Sequence, residues 1–153
     1  MQNVAVTRLA VLVATAMLLS VALLLGSSEE AEAQTATDQQ IVQEARSWIG
    51  TPYVFGGASA ATPYGVDCSG LTMSVMSQFG VSLPDSPAAQ YGYGSASNAG
   101  AGDLVFFTDG YGGISNVGIA TGEGTVVSAK HGVGVTETPI GQYWGYVGAK
   151  DVT

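Results

Sequence analysis

Val66-Asp67-Cys68-Ser69-Gly70-Leu71 is the stretch on which the reading of this chain turns. Asp67 is a natural helix N-cap. Beyond it Leu71, Val75, Met76 and Phe79 recur at helical spacing on the face of Cys68, and Gly80 supplies a stop. The sequence therefore predicts a helix that opens at Cys68, with the cysteine in the first turn on the inward side. Cys68 is the only cysteine, so no intramolecular disulfide explains it. Two readings of the thiol stand side by side. The partial positive charge of a helix N-terminus favours a thiolate and makes a nucleophile. A lone cysteine is also a common small core residue.

Upstream, residues 50–67 form a loop holding Pro52, Gly56, Gly57 and Pro63. Before it, Ile41, Val42, Ala45, Trp48 and Ile49 share one face of a predicted helix over Asp38–Ile49, capped by Thr37 or Asp38 and ended by Gly50. Downstream, Pro84 and Pro87 break the chain, with one helical turn expected over Pro87–Tyr91. Past Gly102 the pattern turns strand-like, with short β-branched or aromatic runs at Leu104–Phe107, Asn116–Thr121, Thr125–Ala129, Gly134–Glu137 and Tyr146–Ala149. Gly122-Glu123-Gly124 is a hairpin connector. Helices first and an antiparallel meander after them imply an α+β domain whose sheet has about five strands.

The N-terminal residues read as a secretory leader. Arg8 precedes an apolar run from Leu9 to Gly26, and Ala31-Glu32-Ala33 fits a small-x-small cleavage site. The expected division is a signal peptide over residues 1–33 and a single domain over 34–153, secreted or wall-associated, touching a membrane only through the leader. A retained anchor is the competing reading of the same run. Lipid attachment at that site is excluded, because no cysteine lies there. Residues 34–153 carry three cations, Arg46, Lys130 and Lys150, against nine carboxylates, a net charge of −6. That argues against nucleic acid and anionic polymers as partners. No spacing of His, Cys and Asp suits a metal, no Gly-Lys-Ser/Thr follows the glycine-rich stretches, and no cofactor is expected. Met73 and Met76 belong to the packed helix. Tyr91, Tyr93, Tyr111 and Tyr143 suit a groove for glycan or peptide, or surface turns.

Several ordered blocks resemble the NlpC family (NlpC/P-sixty) of bacterial cell-wall cysteine peptidases. They are Trp48-Ile49-Gly50-Thr51-Pro52-Tyr53, Phe55-Gly56-Gly57, Asp67-Cys68-Ser69-Gly70-Leu71 and Gly80-Val81-Ser82-Leu83-Pro84. They continue through Gly102-Asp103-Leu104-Val105-Phe106-Phe107, Val117-Gly118-Ile119-Ala120 and Gln142-Tyr143-Trp144-Gly145-Tyr146-Val147-Gly148-Ala149. The resemblance spans about Ile41 to Lys150. It implies a papain-like core and hydrolysis of peptidoglycan stem peptides, most often between D-glutamate and a diamino acid. Carried over by residue, Cys68 matches the nucleophile, and Tyr53 matches a tyrosine that positions substrate. Asp67 and Ser69 match neighbours that in some members recognise the free amine of the stem.

The match departs at the base. Where the family has its catalytic histidine this chain has Asn116, and the third polar position is Ser128. An amide forms hydrogen bonds but takes up no proton near neutral pH, whereas general acid–base assistance contributes 10²–10⁴-fold. His131, the only histidine, is the one alternative base. It follows the Thr125–Ala129 run in a glycine-rich turn, and strand alternation starts it on the face opposite Ser128. The expectation is a stem-peptide hydrolase with a degenerate base position. A non-catalytic or weakly active peptidoglycan-binding module is the alternative, and another acyl transfer on the same scaffold a third.

Overall fold

The computed structural model describes residues 29–35, 37–57 and 64–153. The expected leader lies outside the described residues except for its last five, which are helical and exposed, as are the two that follow. Contacts divide the chain into a unit up to Thr37 and a unit over Asp38–Thr153. Among the described residues no helix is long and apolar enough to cross a membrane.

Helix α1 covers residues 37–47 and buries Ile41, Val42 and Ala45. The chain leaves the helix earlier than the periodicity predicted. Gly50 turns at φ +94° and its N–H donates to Val135 O at 3.0 Å, so Ile49 ends up exposed. Helix α2 (Cys68–Ser77) is buried almost throughout, including Cys68, Leu71, Val75 and Met76. A single turn, α3 (Pro87–Gln90), is capped by Ser86 with Pro87 at its start, where a missing N–H costs nothing.

Six antiparallel strands follow: β1 (Ser95–Ser97), β2 (Leu104–Thr108), β3 (Ile114–Ala120), β4 (Thr125–Lys130), β5 (Gly134–Pro139) and β6 (Tyr146–Asp151). Their order is β1-β6-β2-β3-β4-β5. The strand beyond the expected five is β1, a Ser-Ala-Ser segment with no β-branched or aromatic residue, held only by its pairing with β6.

Both faces of the sheet are covered. Leu104, Phe106, Val117, Ile119, Val127 and Ala129 pack with Ile41, Leu71, Val75 and Met76 from the helices. Val105, Phe107, Ala120, Val126 and Ala149 form a second cluster under Ile140 and Tyr143, on and just after a 3₁₀ turn (Ile140–Gln142). This is why Leu104–Phe107 reads as an unbroken apolar run: each of the four is buried, on alternate sides. Each such side chain contributes on the order of 1.5–3 kcal/mol by leaving water. One local feature positions the site. The register of β3 with β4 is confined to Ile119↔Val127 and Ala120↔Val126, so the first half of β3 is free to face the start of α2.

Candidate active site

The loop before α2 is fixed by backbone bonds and by one side chain, Asp67. Tyr53 and Val66 form a parallel bridge, Val54 N–H donates to Val66 O, and Val66 N–H donates to Pro52 O, both at 3.1 Å. Asp67 N–H donates to Gly57 O at 3.2 Å. A Cβ on Gly70 would overlap that same Gly57 carbonyl, so the Gly56-Gly57 loop approaches α2 only because residue 70 is glycine. The Asp67 carboxylate then ties loop and helix together. Its Oδ1 accepts from Gly70 N–H at 2.7 Å and its Oδ2 from Gly56 N–H at 3.0 Å. It is the expected N-cap, and it is buried.

These bonds set Cys68 at the helix start with its thiol against β3. Sγ lies 3.8 Å from Ser115 O, and Val117 N–H donates to it. The sequence suggested a thiolate favoured by the helix end. The structure pushes the thiol the other way: burial raises its pKa, and the Asp67 charge adds to the rise. The N–H groups of Val117, Ser69 and Cys68 itself offset this only in part.

A cavity of about 290 Å³ opens over the thiol, lined by Tyr53, Phe55, Asp67, Cys68, Asp85 and Ser115 among others. Tyr53 is half-buried, and its phenol pKa is raised by burial and by the charges of Cys68 and Asp67. Ser69 Oγ lies 3.2 Å from Asp67 Oδ1 and 3.1 Å from Asp85 Oδ1, so its one proton serves a single carboxylate at a time. The structure therefore brings Tyr53, Asp67, Cys68 and Ser69 together as the sequence implied, and adds Asp85. Nothing but a Pro84-Asp85-Ser86-Pro87 turn marks Asp85 in the sequence. Among the described residues the walls hold two carboxylates and no cation, which suits a ligand carrying an ammonium group.

The opposite side is different. Asn116 stands on β3 between the residues whose backbone groups face Sγ, and it is not among the residues lining the cavity. Its Oδ1 is buried with no hydrogen-bond partner. Ser128 is fully buried and pairs with the Tyr143 hydroxyl. Tyr143 stacks on Phe107 at 4.3 Å between centroids, under the Lys130 ammonium at 4.2 Å. Its phenol pKa is raised by burial, a rise to which the Cys68 charge adds. The sequence offered Tyr143 as a groove or surface-turn residue and gave it no part beside Ser128. His131 is exposed and packs edge-on against Tyr53, with centroids 5.4 Å apart, and it is not among the residues lining the cavity. Among the described residues no three His, Cys, Asp or Glu side chains converge to hold a metal ion.

An antiparallel sheet with a buried cysteine at the start of the helix packed on it defines a cysteine-centred α+β domain of the papain-like type. Residues 50–150 match the NlpC/P60 family, and the chain belongs to it. It is 37% identical over 126 residues to the gamma-DL-glutamyl hydrolase of Bacillus subtilis, covering 78% of this chain and 30% of that one. It is 42% identical over 120 residues to a probable endopeptidase of Corynebacterium glutamicum, covering 74% and 52%. The chain thus spans about half or less of these relatives. Among solved structures, the NlpC/p60 domain of the peptidoglycan hydrolase SagA superposes with a TM-score of 0.65 at 36% identity, over 75% of this chain and 98% of that one. The peptidoglycan hydrolase RipB of Mycobacterium tuberculosis superposes at 0.67 and 28% identity, over 80% and 67%.

Proposed function

We propose that the protein is a secreted hydrolase of peptidoglycan stem peptides, of the D-glutamyl–diamino acid type, with Cys68 as nucleophile. The observation that carries this reading is the cavity itself: the thiol at its base, Tyr53 beside it, and the Asp67–Ser69–Asp85 carboxylate wall facing a cation-free space. The relatives named for peptidoglycan and gamma-glutamyl hydrolysis support the substrate class. In the reaction the Cys68 thiolate attacks the scissile carbonyl. The carbon–nitrogen bond breaks, the leaving amine takes a proton from water, and a second water hydrolyses the thioester. With Asn116 in place of a base, the thiolate arises only by ionisation to solvent, so turnover is slow at neutral pH and accelerates in alkali. Mass spectrometry of muropeptides incubated with the purified protein at pH 7 and pH 9 tests this. Cleavage lost in Cys68→Ala supports the reading; intact stems at both pH values, with Cys68 inert to iodoacetamide, end it.

The raised thiol pKa and the unpartnered Asn116 amide favour one second reading, a binding module that keeps the groove without the reaction. It requires that sedimentation with purified sacculi persist in Cys68→Ala and that the wild type leave the stems intact.

A further inference from the structure

The part of the Cys68 cavity that carries Asp85 is tied to α2 by one buried side chain. Asp85 is exposed, and its Oδ1 lies 3.1 Å from the Ser69 hydroxyl. An exposed carboxylate has little packing to hold it, so its place in the wall follows from where the backbone of residues 84–86 runs. Leu83 seats that segment in the core, and Gln90 joins it to the start of α2. Gln90 is fully buried at the end of α3, the turn whose cap and first residue, Ser86 and Pro87, line the cavity.

The Gln90 amide nitrogen donates to Pro84 O at 2.9 Å and to Ser69 O at 3.3 Å. Its Oε1 faces the Thr72 hydroxyl, whose proton is shared between that oxygen at 2.8 Å and Ser69 O at 2.9 Å. Both carbonyls only accept, so the amide must turn its nitrogen to them and its oxygen to Thr72. Filling the core alone would be served by Leu or Met, which bring no polar atom to satisfy. A buried amide with all its groups paired fixes distances instead. Here the distance is that between the backbone of Ser69 and the peptide preceding Asp85.

We infer that Gln90 is a positioning residue for recognition: by clamping Pro84 to Ser69 it holds the Asp85 carboxylate in the cavity wall, where it selects a ligand bearing an ammonium group. The inference rests on the reading of the cavity as a stem-peptide site and names the residue that sets its selectivity.

The test measures binding in the Cys68→Ala protein, so that nothing turns over. Calorimetric titration compares γ-D-glutamyl-lysine, its amino groups free, with the fully N-acetylated peptide, which carries no ammonium. The parent protein is expected to prefer the free peptide. Gln90→Met keeps the length of the side chain without its hydrogen bonds and should lower that preference about tenfold. Thr72→Val unties only the amide oxygen; it should lower the preference about threefold, and it serves where Gln90→Met does not fold. Adding either substitution to Asp85→Asn should lower the preference no further, because the clamp acts through Asp85. Urea unfolding separates this role from packing: folded variants that lose stability but keep the parent's preference overturn the proposal. So does a further loss in the Asp85→Asn background, or a parent indifferent to acetylation. Cleavage by the intact thiol plays no part in these titrations, so failure of Cys68 hydrolysis and failure of the clamp are told apart.

Discussion

The two walls around Cys68 are built to different standards. On the side of Tyr53, Asp67, Ser69 and Asp85, the carboxylates and the Ser69 hydroxyl are engaged, and three backbone bonds pin the loop to the residues before α2. On the side of Asn116 and Ser128, the Asn116 amide oxygen is buried without a partner, and the serine has turned to Tyr143. The first wall is what a pocket needs to hold a ligand. The two walls thus differ in how fully their polar atoms are satisfied, although both belong to the surroundings of one sulfur atom.

The sharpest way to break that contrast is to restore a base. Asn116→His is expected to raise stem-peptide cleavage 10²-fold or more at pH 7, measured by chromatography of released fragments. An unchanged rate would mean that the recognition wall has drifted as well. A second test weakens the intact wall. Asp67→Ala removes the N-cap and the bond to the loop at Gly56, and about 2 kcal/mol of stability should be lost in urea unfolding.

A third prediction concerns the sulfur. Because burial raises the thiol pKa, the thiolate fraction at neutral pH is below that of a free cysteine, whose pKa is about 8.5. Alkylation of Cys68 by iodoacetamide should then keep rising at pH values where a free thiol has already levelled off. Asp67→Asn, which removes the adjacent negative charge, should shift that profile to lower pH. The smallest effect lies far from the cysteine. Arg46 donates through Nε and Nη2 to Glu137 at 2.9 Å each and to Glu123 at 3.0 Å, and it is partly exposed. Arg46→Ala should cost only about 0.5–1 kcal/mol. The Arg46 bonds, then Thr125, hold the Glu137 carboxyl below its usual range. That contribution is present above the unfolded carboxyl pKa and fades as the pH falls through the folded one, so wild type and variant should converge in acid.

How much was legible beforehand follows the same division. The helix at Cys68, the cap at Asp67 and the strands past Gly102 declare themselves through local periodicity and turn residues. The family blocks placed Tyr53 and Ser69 in one pocket before any coordinates did. Strand β1 was illegible because Ser95-Ala96-Ser97 has no intrinsic signal and is made a strand by a partner more than fifty residues away. Asp85, and the pairing of Tyr143 with Ser128, escaped the sequence for the same reason, since each reaches its neighbour across a long loop or the sheet. Both readings of the thiol stayed open in the sequence, because the helix end favours a thiolate and burial opposes it. Desolvation by β3 outweighs the helix-end effect, and no local pattern announces which strand will cover a helix start.

Strand order has a kinetic consequence. The strand that comes last along the chain, β6, is an interior one, flanked by β1 and β2. During synthesis β1 has no partner, and β2 is paired on its β3 side only, until Tyr146–Asp151 has emerged, so the sheet closes late and through contacts distant in sequence. Until then the chain remains an open precursor, its β2 edge waiting for the final segment to lock in.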